Sequence, residues 1–431
     1  MKQLIQHINN GQMEVIDVPV PAVQPGYVLV QVAASLVSAG TERMLNDFAR
    51  KNLLEKARSR PDLVHRIVQK AQQEGVLSAI DTVRSRLAQP VAPGYACAGT
   101  VLEVGRGVRG LQPGDAVACA GAGYAVHAQV VLLPQNLVVA LPAAVDAESA
   151  AFTTMGAIAL HGIRLAEIQL GETVAVIGLG VLGQLTVQML KAAGCCVIGL
   201  DIQPQRANLA LHMGADAVAA TPAELVAQVQ ALSGNHGADA VIITADTSAN
   251  GPIELAGEIA RDRGVVVAVG AVGMDLPRRR YYQKELSLRI SRSYGPGRYD
   301  PQYEEQGHDY PYAYVRWTEQ RNMQAFVQLL AEQRVQVGPL ISHRFAIDAA
   351  PAAYTLIDGS TGEPFLGVVL TYPPPAELHQ RVDCRTMLSH DTQPSQRPAP
   401  HIQSVRLACW APAAFPRARC YPSSISSRRS S

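Results

Sequence analysis

The feature that most constrains this chain is a glycine-rich segment between two apolar runs. It reads Val174-Ala-Val-Ile-Gly178-Leu-Gly180-Val-Leu-Gly183, and a helical pattern follows it. The second apolar run, Cys196–Leu200, ends in the acid Asp201. This order predicts a strand, a tight turn, a helix and a second strand, which together open a parallel α/β unit.

Each position of the segment has a physical task. Gly178 permits the turn, Gly180 lets the backbone approach a pyrophosphate, and Gly183 brings the helix close to the strand. The free N–H groups and the dipole of the helix hold the anion. Asp201 stands where a carboxylate accepts hydrogen bonds from an adenosine ribose and repels the extra phosphate of NADP.

We therefore predict a dinucleotide site that prefers NAD to NADP. A glycine turn with only a structural role is the alternative interpretation of the same pattern. The predicted cofactor-binding residues are Gly178, Leu179, Gly180, Val181, Leu182, Gly183, Asp201 and Gly270.

Composition and charge argue against several classes of partner. A chain of 431 residues with a formal net charge of +1 gives no reason to expect nucleic acid. Its seven cysteines form no C-x-x-C pair, and the first residues lack a signal-peptide pattern, so we expect the cytoplasm. The uncharged stretch Thr173–Leu190 carries Gln184, Gln188 and the motif glycines, so we interpret it as strand plus helix rather than a membrane span.

Hydrophobic patterning divides the chain into segments. Residues 1–156 are mostly short β-type runs, interrupted over about 42–90 by a charged helical pattern that reads as an insertion with a solvated face. Strand-like and helical runs alternate over 157–293, which predicts a doubly wound parallel sheet. The predicted strands of this sheet are Thr173–Leu179, Cys196–Asp201, Ala217–Ala220, Ala238–Ala245, Gly264–Val269 and Leu286–Ser291. Other predicted elements are a strand at His127–Leu132 and helices at Pro222–Leu232, Pro252–Arg261 and Thr318–Gln333.

The last part of the chain has a different character. Residues 373–431 are rich in Pro, Ser and Arg and lack periodicity, which predicts a disordered tail. Read one nucleotide out of frame, Cys409-Trp410-Ala411 must contain Leu-Gly, and the following codons can continue as the start of another glycine loop. One hypothesis is a frameshift that removed a second domain. The alternative is an ordinary disordered tail.

Several segments, taken in order, resemble the medium-chain dehydrogenase/reductase superfamily. They are Ala39-Gly-Thr-Glu42, Pro93–Val101, Gln112-Pro-Gly-Asp115 and the glycine segment. The resemblance covers residues 1–372 and implies an α/β fold with a GroES-like catalytic domain over 1–156. It also implies a Rossmann domain over 157–293 and a segment over 294–372 that returns to the first domain. Homodimers are expected from the resemblance alone.

A nearer resemblance is to bacterial two-domain oxidoreductases found with surface-polysaccharide genes. The segments Tyr294–Asp300 and Tyr314–Glu319 carry it, together with the helical insertion. These relatives have a glucose–fructose-oxidoreductase-like domain where this chain has its tail. The frameshift hypothesis therefore implies a chain that lacks this second part.

The zinc positions are where the chain departs from the resemblance. Zinc-dependent members have a Cys, a His-Glu pair and a third ligand where this chain has Ala39, Tyr95-Ala96 and Met155. None of these is an ordinary Zn²⁺ ligand, so we expect no catalytic zinc and no metal site. We interpret the other candidate ligands as buried thiols and hydrogen-bonded imidazoles, namely Cys97, Cys119, His127 and His161.

Hydride transfer requires a group that stabilises the developing alkoxide. By the resemblance, Thr41 matches a relay hydroxyl and Glu42 replaces an Asp. Tyr95 stands where zinc enzymes have a His, and its phenol, with an ordinary pKa of about 10, can donate a proton but is a poor base. We predict Thr41, Tyr95 and Glu42 as catalytic residues. The alternatives are a packing role for Tyr95 and an ordinary surface charge for Glu42.

A Tyr- and Arg-rich segment offers many directed hydrogen bonds, which suits a polyhydroxylated substrate. The predicted substrate-binding residues are Tyr294, Arg298, Tyr299 and Arg316, and a well-bonded surface loop is the alternative. We thus predict a zinc-independent, NAD(H)-dependent oxidoreductase for an alcohol or carbonyl of a sugar-like metabolite, in surface-polysaccharide metabolism. The rival hypotheses are an NADPH-dependent enone or quinone reductase and a non-catalytic dinucleotide-binding remnant of a fused enzyme.

Overall fold

The computed structural model describes residues 1–50, residue 55 and residues 89–373. Most of the predicted insertion over 42–90, and the predicted tail beyond residue 373, lie outside the described residues. The frameshift hypothesis concerns that tail. Within the described residues, no helix is long and apolar enough to cross a membrane.

A mostly antiparallel sheet forms from the two ends of the described chain, and only the pair formed by its last two strands is parallel. Strands β1 (Lys2–Gln6) and β2 (Met13–Asp17) form a separate two-stranded sheet. The first strands of the larger sheet are β3 (Tyr27–Val37), β4 (Ala96–Val104), β5 (Ala116–Ala120), β6 (Val130–Pro134) and β7 (Val138–Ala140). The long strand β3 pairs with β4, with β6 and with the late strand β15 (Gly367–Thr371). Strand β14 (Ile341–Ala346) lies beside β15. The C-terminal segment therefore completes the first sheet.

The second sheet is parallel throughout. Its strands are β8 (Thr173–Ile177), β9 (Cys196–Leu200), β10 (Ala217–Ala219), β11 (Ala238–Ile243), β12 (Ala260–Ala268) and β13 (Ser287–Ile290). Their order is β10-β9-β8-β11-β12-β13, so the direction of the winding reverses between β8 and β11. The predicted doubly wound sheet is confirmed, and a crevice for a ligand is expected at the carboxyl ends of these two strands.

Helices connect and cover the sheets. They are α1 (Ala39–Arg50), α2 (Ala147–Ala150), α3 (Thr153–Ala166), α4 (Val181–Ala192), α5 (Pro204–His212), α6 (Pro222–Leu232), α7 (Gly251–Ile259), α8 (Arg278–Gln283), α9 (Pro301–Glu304), α10 (Glu319–Ala331) and α11 (Ala350–Ile357). The start of α6 shows why such segments fold locally. Thr221 and Glu224 form a reciprocal capping box, and Pro222 occupies the first turn.

Two predicted elements have different bounds in the structure. The helix predicted at Pro252–Arg261 ends at Ile259, because Ala260 already pairs with Ala238 as the first residue of β12. The strand predicted from His127 begins instead at Val130. The His127 backbone N–H donates to the Pro93 carbonyl, which keeps this residue in a loop beside the sheet.

Helix α3 joins the two sheets into one core. It packs on β5 of the antiparallel sheet and on β11 and β12 of the parallel sheet. It also packs against α4 and α10, and its buried residues belong to an apolar cluster that draws on both sheets. The helix begins at Thr153 and so runs across the domain boundary predicted at residue 156.

Candidate cofactor and active site

The glycine loop has the backbone geometry that its sequence predicts. Gly178 has φ +97°, and a Cβ atom there would lie 2.6 Å from the Ala245 backbone nitrogen. A Cβ at Gly183 would lie 2.0 Å from the Gly178 carbonyl oxygen. At Gly180 no neighbouring atom of the described residues lies within 4 Å of the position that a Cβ would take. Two glycines therefore fix the turn, while the third leaves open space beside the backbone.

Helix α4 begins directly after this open space. Its N-cap is Gly180, and no side chain caps the first turn. The first N–H groups of an α-helix have no partner within the helix and carry the positive end of the helix dipole. Val181 and Leu182 lie in this turn and are half-buried, whereas Leu179 is fully buried in the core. The loop thus presents backbone donors to an anion.

Asp201 has a role in the loop that the sequence pattern does not reveal. It is 7% exposed at the end of β9, and its Oδ2 accepts a hydrogen bond from the Leu179 backbone N–H at 2.7 Å. Its Oδ1 accepts from the Gln203 N–H at 2.8 Å. A carboxylate has about four acceptor positions, so capacity for ribose hydroxyls remains. The same side chain therefore ties the glycine loop to the end of β9.

Gly270, the last predicted cofactor residue, lies after β12 at the carboxyl edge of the sheet. Its N–H donates to the Ile243 carbonyl at 2.9 Å. A Cβ there would lie 2.0 Å from the Ala245 carbonyl oxygen. The loop after β12 thus packs so closely against the loop after β11 that only a glycine fits at position 270. Taken with Gly180 and Asp201, the crevice fits a dinucleotide.

Tyr95 and Met155, expected at former zinc positions, contact each other. The Tyr95 hydroxyl donates to Ser38 Oγ at 2.6 Å and lies 3.3 Å from Met155 Sδ. The exposed Thr41 lies near this hydroxyl and lowers its pKa slightly. Burial raises the pKa of Tyr95, so its phenol is protonated at neutral pH. The sequence did not single out Ser38, which follows β3 directly.

The donors at these positions do not fit zinc. Ala39, Tyr95 and Met155 offer a methyl group, a phenol and a thioether, whereas Zn²⁺ takes thiolate, imidazole or carboxylate. In the part of the chain that the structure describes, no three His, Cys, Asp or Glu residues are grouped as a metal site. A different hydrogen-bonded arrangement, centred on Tyr95, occupies this place.

Glu42 lies beneath this arrangement and is 1% exposed, so the surface-charge interpretation of this residue is wrong. Its Oε1 accepts from the Ser38 backbone N–H at 2.8 Å. Its Oε2 lies 3.2 Å from His127 Nε2 and accepts from the Tyr354 hydroxyl. A buried carboxylate is tolerated when donors surround it in this way. Burial and the charge of Glu42 raise the pKa of Tyr354 well above its usual value.

His127 extends the buried network across the first sheet. Its Nδ1 lies 2.7 Å from Ser35 Oγ, which lies 2.8 Å from the Tyr372 hydroxyl. A neutral imidazole that donates from Nε2 to Glu42 and accepts from Ser35 at Nδ1 satisfies each contact. The ring also lies 2.9 Å from the position of a Cβ at Gly94, the residue before Tyr95. The Glu42–His127 pair therefore supports both sides of the Tyr95 site.

The two sheets approach each other at the start of α1. Asp246 follows β11 at the carboxyl edge of the parallel sheet. Its Oδ2 lies 3.4 Å from the position of a Cβ at Gly40, next to Thr41. Burial raises the pKa of Asp246, and the nearby charge of Arg43 opposes this effect. The crevice at β8 and β11 and the Thr41 turn thus share an edge. An acid directly after a predicted strand was the available sequence signal for Asp246.

The predicted substrate residues fall into two places. Arg298 lies over the rings of Tyr294 and Tyr299, and it pairs with Glu304 at 2.5 Å. Tyr294 is buried and Tyr299 is 44% exposed. Arg316 stands apart from them, over the Trp317 ring.

The interior of this loop contains buried polar atoms. Glu319 is fully buried, and neither of its carboxyl oxygens has a hydrogen-bond partner among the described residues. Burial, with the nearby charge of Glu304, raises its pKa to about 9, so it is neutral at pH 7. In the same part of the chain, the Tyr294 hydroxyl and Arg298 Nε also lack partners. Tyr294 and Arg298 therefore face the loop interior, and Tyr299 and Arg316 face solvent.

Comparison with known proteins agrees with this geometry. Residues 68–143 match the alcohol dehydrogenase GroES-like domain, and residues 181–306 match the zinc-binding dehydrogenase family. The chain is 27% identical to the sorbitol dehydrogenase of Halalkalibacterium halodurans over 330 residues, which cover 68% of this chain and 88% of that enzyme. It is 29% identical to the probable D-xylulose reductase A of Arthroderma otae over 249 residues, which cover 49% of this chain and 69% of that protein.

The fold also matches solved structures. Galactitol-1-phosphate dehydrogenase from Escherichia coli superposes with a TM-score of 0.65 at 21% identity, over 86% of this chain and 100% of that one. At this identity the likeness shows the fold alone. The assignment to a family depends instead on the two family matches and on the similarity to the sorbitol dehydrogenase and the probable D-xylulose reductase. The chain belongs to the zinc-type medium-chain dehydrogenase/reductase superfamily, whose members are oxidoreductases of the alcohol dehydrogenase type that bind NAD(P).

Proposed function

We propose that this protein is an NAD(H)-dependent oxidoreductase that interconverts an alcohol and a carbonyl without zinc. One observation carries the proposal: the glycine-loop crevice borders a pocket in which Tyr95 contacts both Ser38 and Met155, and these side chains are not ordinary zinc ligands. The relatives named for sorbitol and D-xylulose favour a polyol or keto-sugar as the substrate.

The roles of the residues follow from their positions. Bound NAD supplies the hydride acceptor, and NADH the donor. The open backbone at Gly180 and the first turn of α4 hold the diphosphate, and Asp201 accepts from the ribose hydroxyls. The negative charge of Asp201 disfavours a 2′-phosphate, which is why we propose NAD rather than NADP.

Tyr95 acts as the proton donor in the reducing direction. Burial keeps its phenol protonated, and in reduction its proton passes to the substrate oxygen on which negative charge develops, so that the product is the alcohol and Tyr95 is left as a phenolate. Ser38 holds the phenol until substrate arrives. The exposed Thr41 hydroxyl connects the pocket to solvent, from which Tyr95 recovers its proton.

The organisation of the chain is proposed with the function. We assign residues 1–156 to a GroES-like domain, 157–293 to a Rossmann domain and 294–372 to a returning segment. The pairing of β15 with β3 supports this assignment. We also propose the cytoplasm, in agreement with the free thiols of the four cysteines in the described residues.

Nucleotide binding tests the cofactor assignment. NADH fluorescence should increase on binding, and NADH should bind at least about tenfold more tightly than NADPH, a difference of roughly 1.4 kcal/mol, because the Asp201 carboxylate repels a 2′-phosphate. Because Asp201 also accepts from Leu179, the variants D201N and D201A should be compared. D201N keeps an acceptor for the loop and should lose the preference, whereas D201A should also weaken binding of both nucleotides. Absence of binding by either nucleotide would overturn the proposal.

A substrate panel tests the reaction. Polyols with NAD and keto-sugars with NADH should give turnover, and quinones with NADPH should not. A preference for quinones and NADPH would support the reductase hypothesis instead. Tight NADH binding with no turnover on any carbonyl or polyol would support a non-catalytic dinucleotide-binding protein.

A further inference from the structure

Two arginines from distant parts of the chain stack on one indole. The guanidinium carbon of Arg164, on α3, lies 3.2 Å from the centroid of the Trp317 ring. That of Arg316 lies 3.7 Å from the same centroid. Arg164 Nε donates to Asn322 Oδ1 at 2.9 Å, and the buried Asn322 donates in turn to the Tyr294 carbonyl. The indole and the amide therefore hold Arg164 in one orientation.

The charges of these two arginines are not balanced locally. In the same loop, Arg298 pairs with Glu304 and Arg321 pairs with Asp309. No carboxylate of the described residues forms an ion pair with Arg164 or Arg316. Burial, together with the charge of Arg316, lowers the pKa of Arg164 to about 10. Burial is the larger cause of this shift, and repulsion between the two guanidinium charges adds to it.

We propose that Arg164, Trp317 and Arg316 form an oxyanion-binding site that takes a phosphate group. Guanidinium forks match the oxygens of phosphate and bind them in pairs. A phosphate monoester carries about −1.5 to −2 charges at pH 7, which balances two arginines, whereas a carboxylate would balance only one. Arg316 is exposed and Arg164 half-buried, so the site is open to solvent.

The site lies on the helix that also contacts the Tyr95 pocket. Met155, Ile158, His161 and Arg164 follow one another at every third position of α3, and all four are half-buried. Met155 contacts the Tyr95 hydroxyl, and Arg164 is nine residues further along α3. At about 1.5 Å per residue, this separation is roughly 13 Å along the helix axis. The phosphate that binds this site has two sources to be distinguished: a free phosphate ion and the phosphate group of a sugar phosphate. The site itself does not depend on the proposed activity.

Trp317 supplies a local reporter for the test. The chain has two tryptophans, so W410F leaves Trp317 as the single indole. Inorganic phosphate is titrated into W410F at constant ionic strength maintained with chloride, while Trp317 emission is recorded. We expect a saturable change, and at least a tenfold weaker response when R316Q or R164Q is added. Arg316 is exposed, so R316Q should fold normally and keep the test valid even if R164Q does not.

The matched control is R278Q, because Arg278 lies over a single ring, that of Tyr282, at 5.2 Å. When R278Q is combined with W410F, the change in Trp317 emission on adding phosphate should equal the change in W410F alone. Glucose 1-phosphate with glucose as its control identifies the source: equal affinity for the two phosphates indicates a free-ion site, and tighter binding of the sugar phosphate indicates a sugar-phosphate ligand. A response that chloride alone reproduces, or that R316Q leaves unchanged, would overturn the proposal.

Discussion

The glycine loop and the Tyr95 pocket are built by different means. In the loop the backbone makes the site, because Gly178 and Gly183 leave no room for a Cβ and Gly180 opens the space before α4. In the pocket side chains make the site, through a hydroxyl, a thioether and a buried carboxylate. A site formed by the backbone depends on few residue types, so the spacing of the glycines in the sequence is enough to predict it. A side-chain site can be rebuilt with other residues while the fold is kept.

The largest expected effect is in the pocket. Y95F removes the proton donor, so kcat should fall about 10²- to 10⁴-fold in the carbonyl-reducing direction. The NADH dissociation constant should not change, because the glycine loop is untouched. Steady-state kinetics together with NADH fluorescence titration measure both quantities.

S38A serves as the control for this variant. It removes the acceptor of the Tyr95 hydroxyl but leaves the hydroxyl itself, and kcat should fall less than in Y95F. If Y95F turns over as fast as the wild type, Tyr95 is a packing residue, and the difference between the two regions must be explained in another way.

The glycine loop allows a paired test of a backbone site. G183A places a Cβ 2.0 Å from a carbonyl oxygen and should lower the free energy of unfolding by about 1–3 kcal/mol. G180A meets no atom within 4 Å and should leave that free energy almost unchanged, yet weaken NADH binding. Urea unfolding and NADH titration of both variants give the comparison. Equal effects on stability would contradict the assigned division of roles.

The buried support of the pocket should give a smaller effect. E42Q keeps the shape of the side chain but places an amide where Oε2 faces His127 and Tyr354, so stability should fall by about 1–3 kcal/mol. Its kcat should fall less than that of Y95F, since Tyr95 remains. Y354F removes one donor to Glu42 and should show a weaker version of both effects. Unchanged stability in E42Q would argue against a buried charged network.

The sequence predicts the parallel sheet and the geometry of the glycine loop well because their signals are local. Apolar runs, glycine spacing and the acid after the second strand all lie within a short stretch of chain. The returning segment was available only through family resemblance. The bounds of α7 depended on where β12 pairs with β11, which is a contact between segments.

The pocket was predicted only in part because its contacts join distant residues. Tyr95 was found through its position in a family motif, but Ser38 is 57 residues away from it in the chain. Glu42 and Tyr354 are separated by 312 residues. Arg298 and Arg316 read alike in the sequence, yet one pairs with Glu304 and the other stacks on Trp317. No local pattern reports such partners.

We propose that the protein transfers hydride without zinc, with the cofactor bound beside the Tyr95 pocket. The most direct measurement is NADH-dependent keto-sugar reduction by the purified protein, made before and after dialysis against EDTA, with the zinc content determined on the same samples. We predict zinc far below one atom per chain, turnover that EDTA leaves unchanged, and no stimulation by added Zn²⁺. Stoichiometric zinc, or activity that EDTA abolishes and Zn²⁺ restores, would contradict the account.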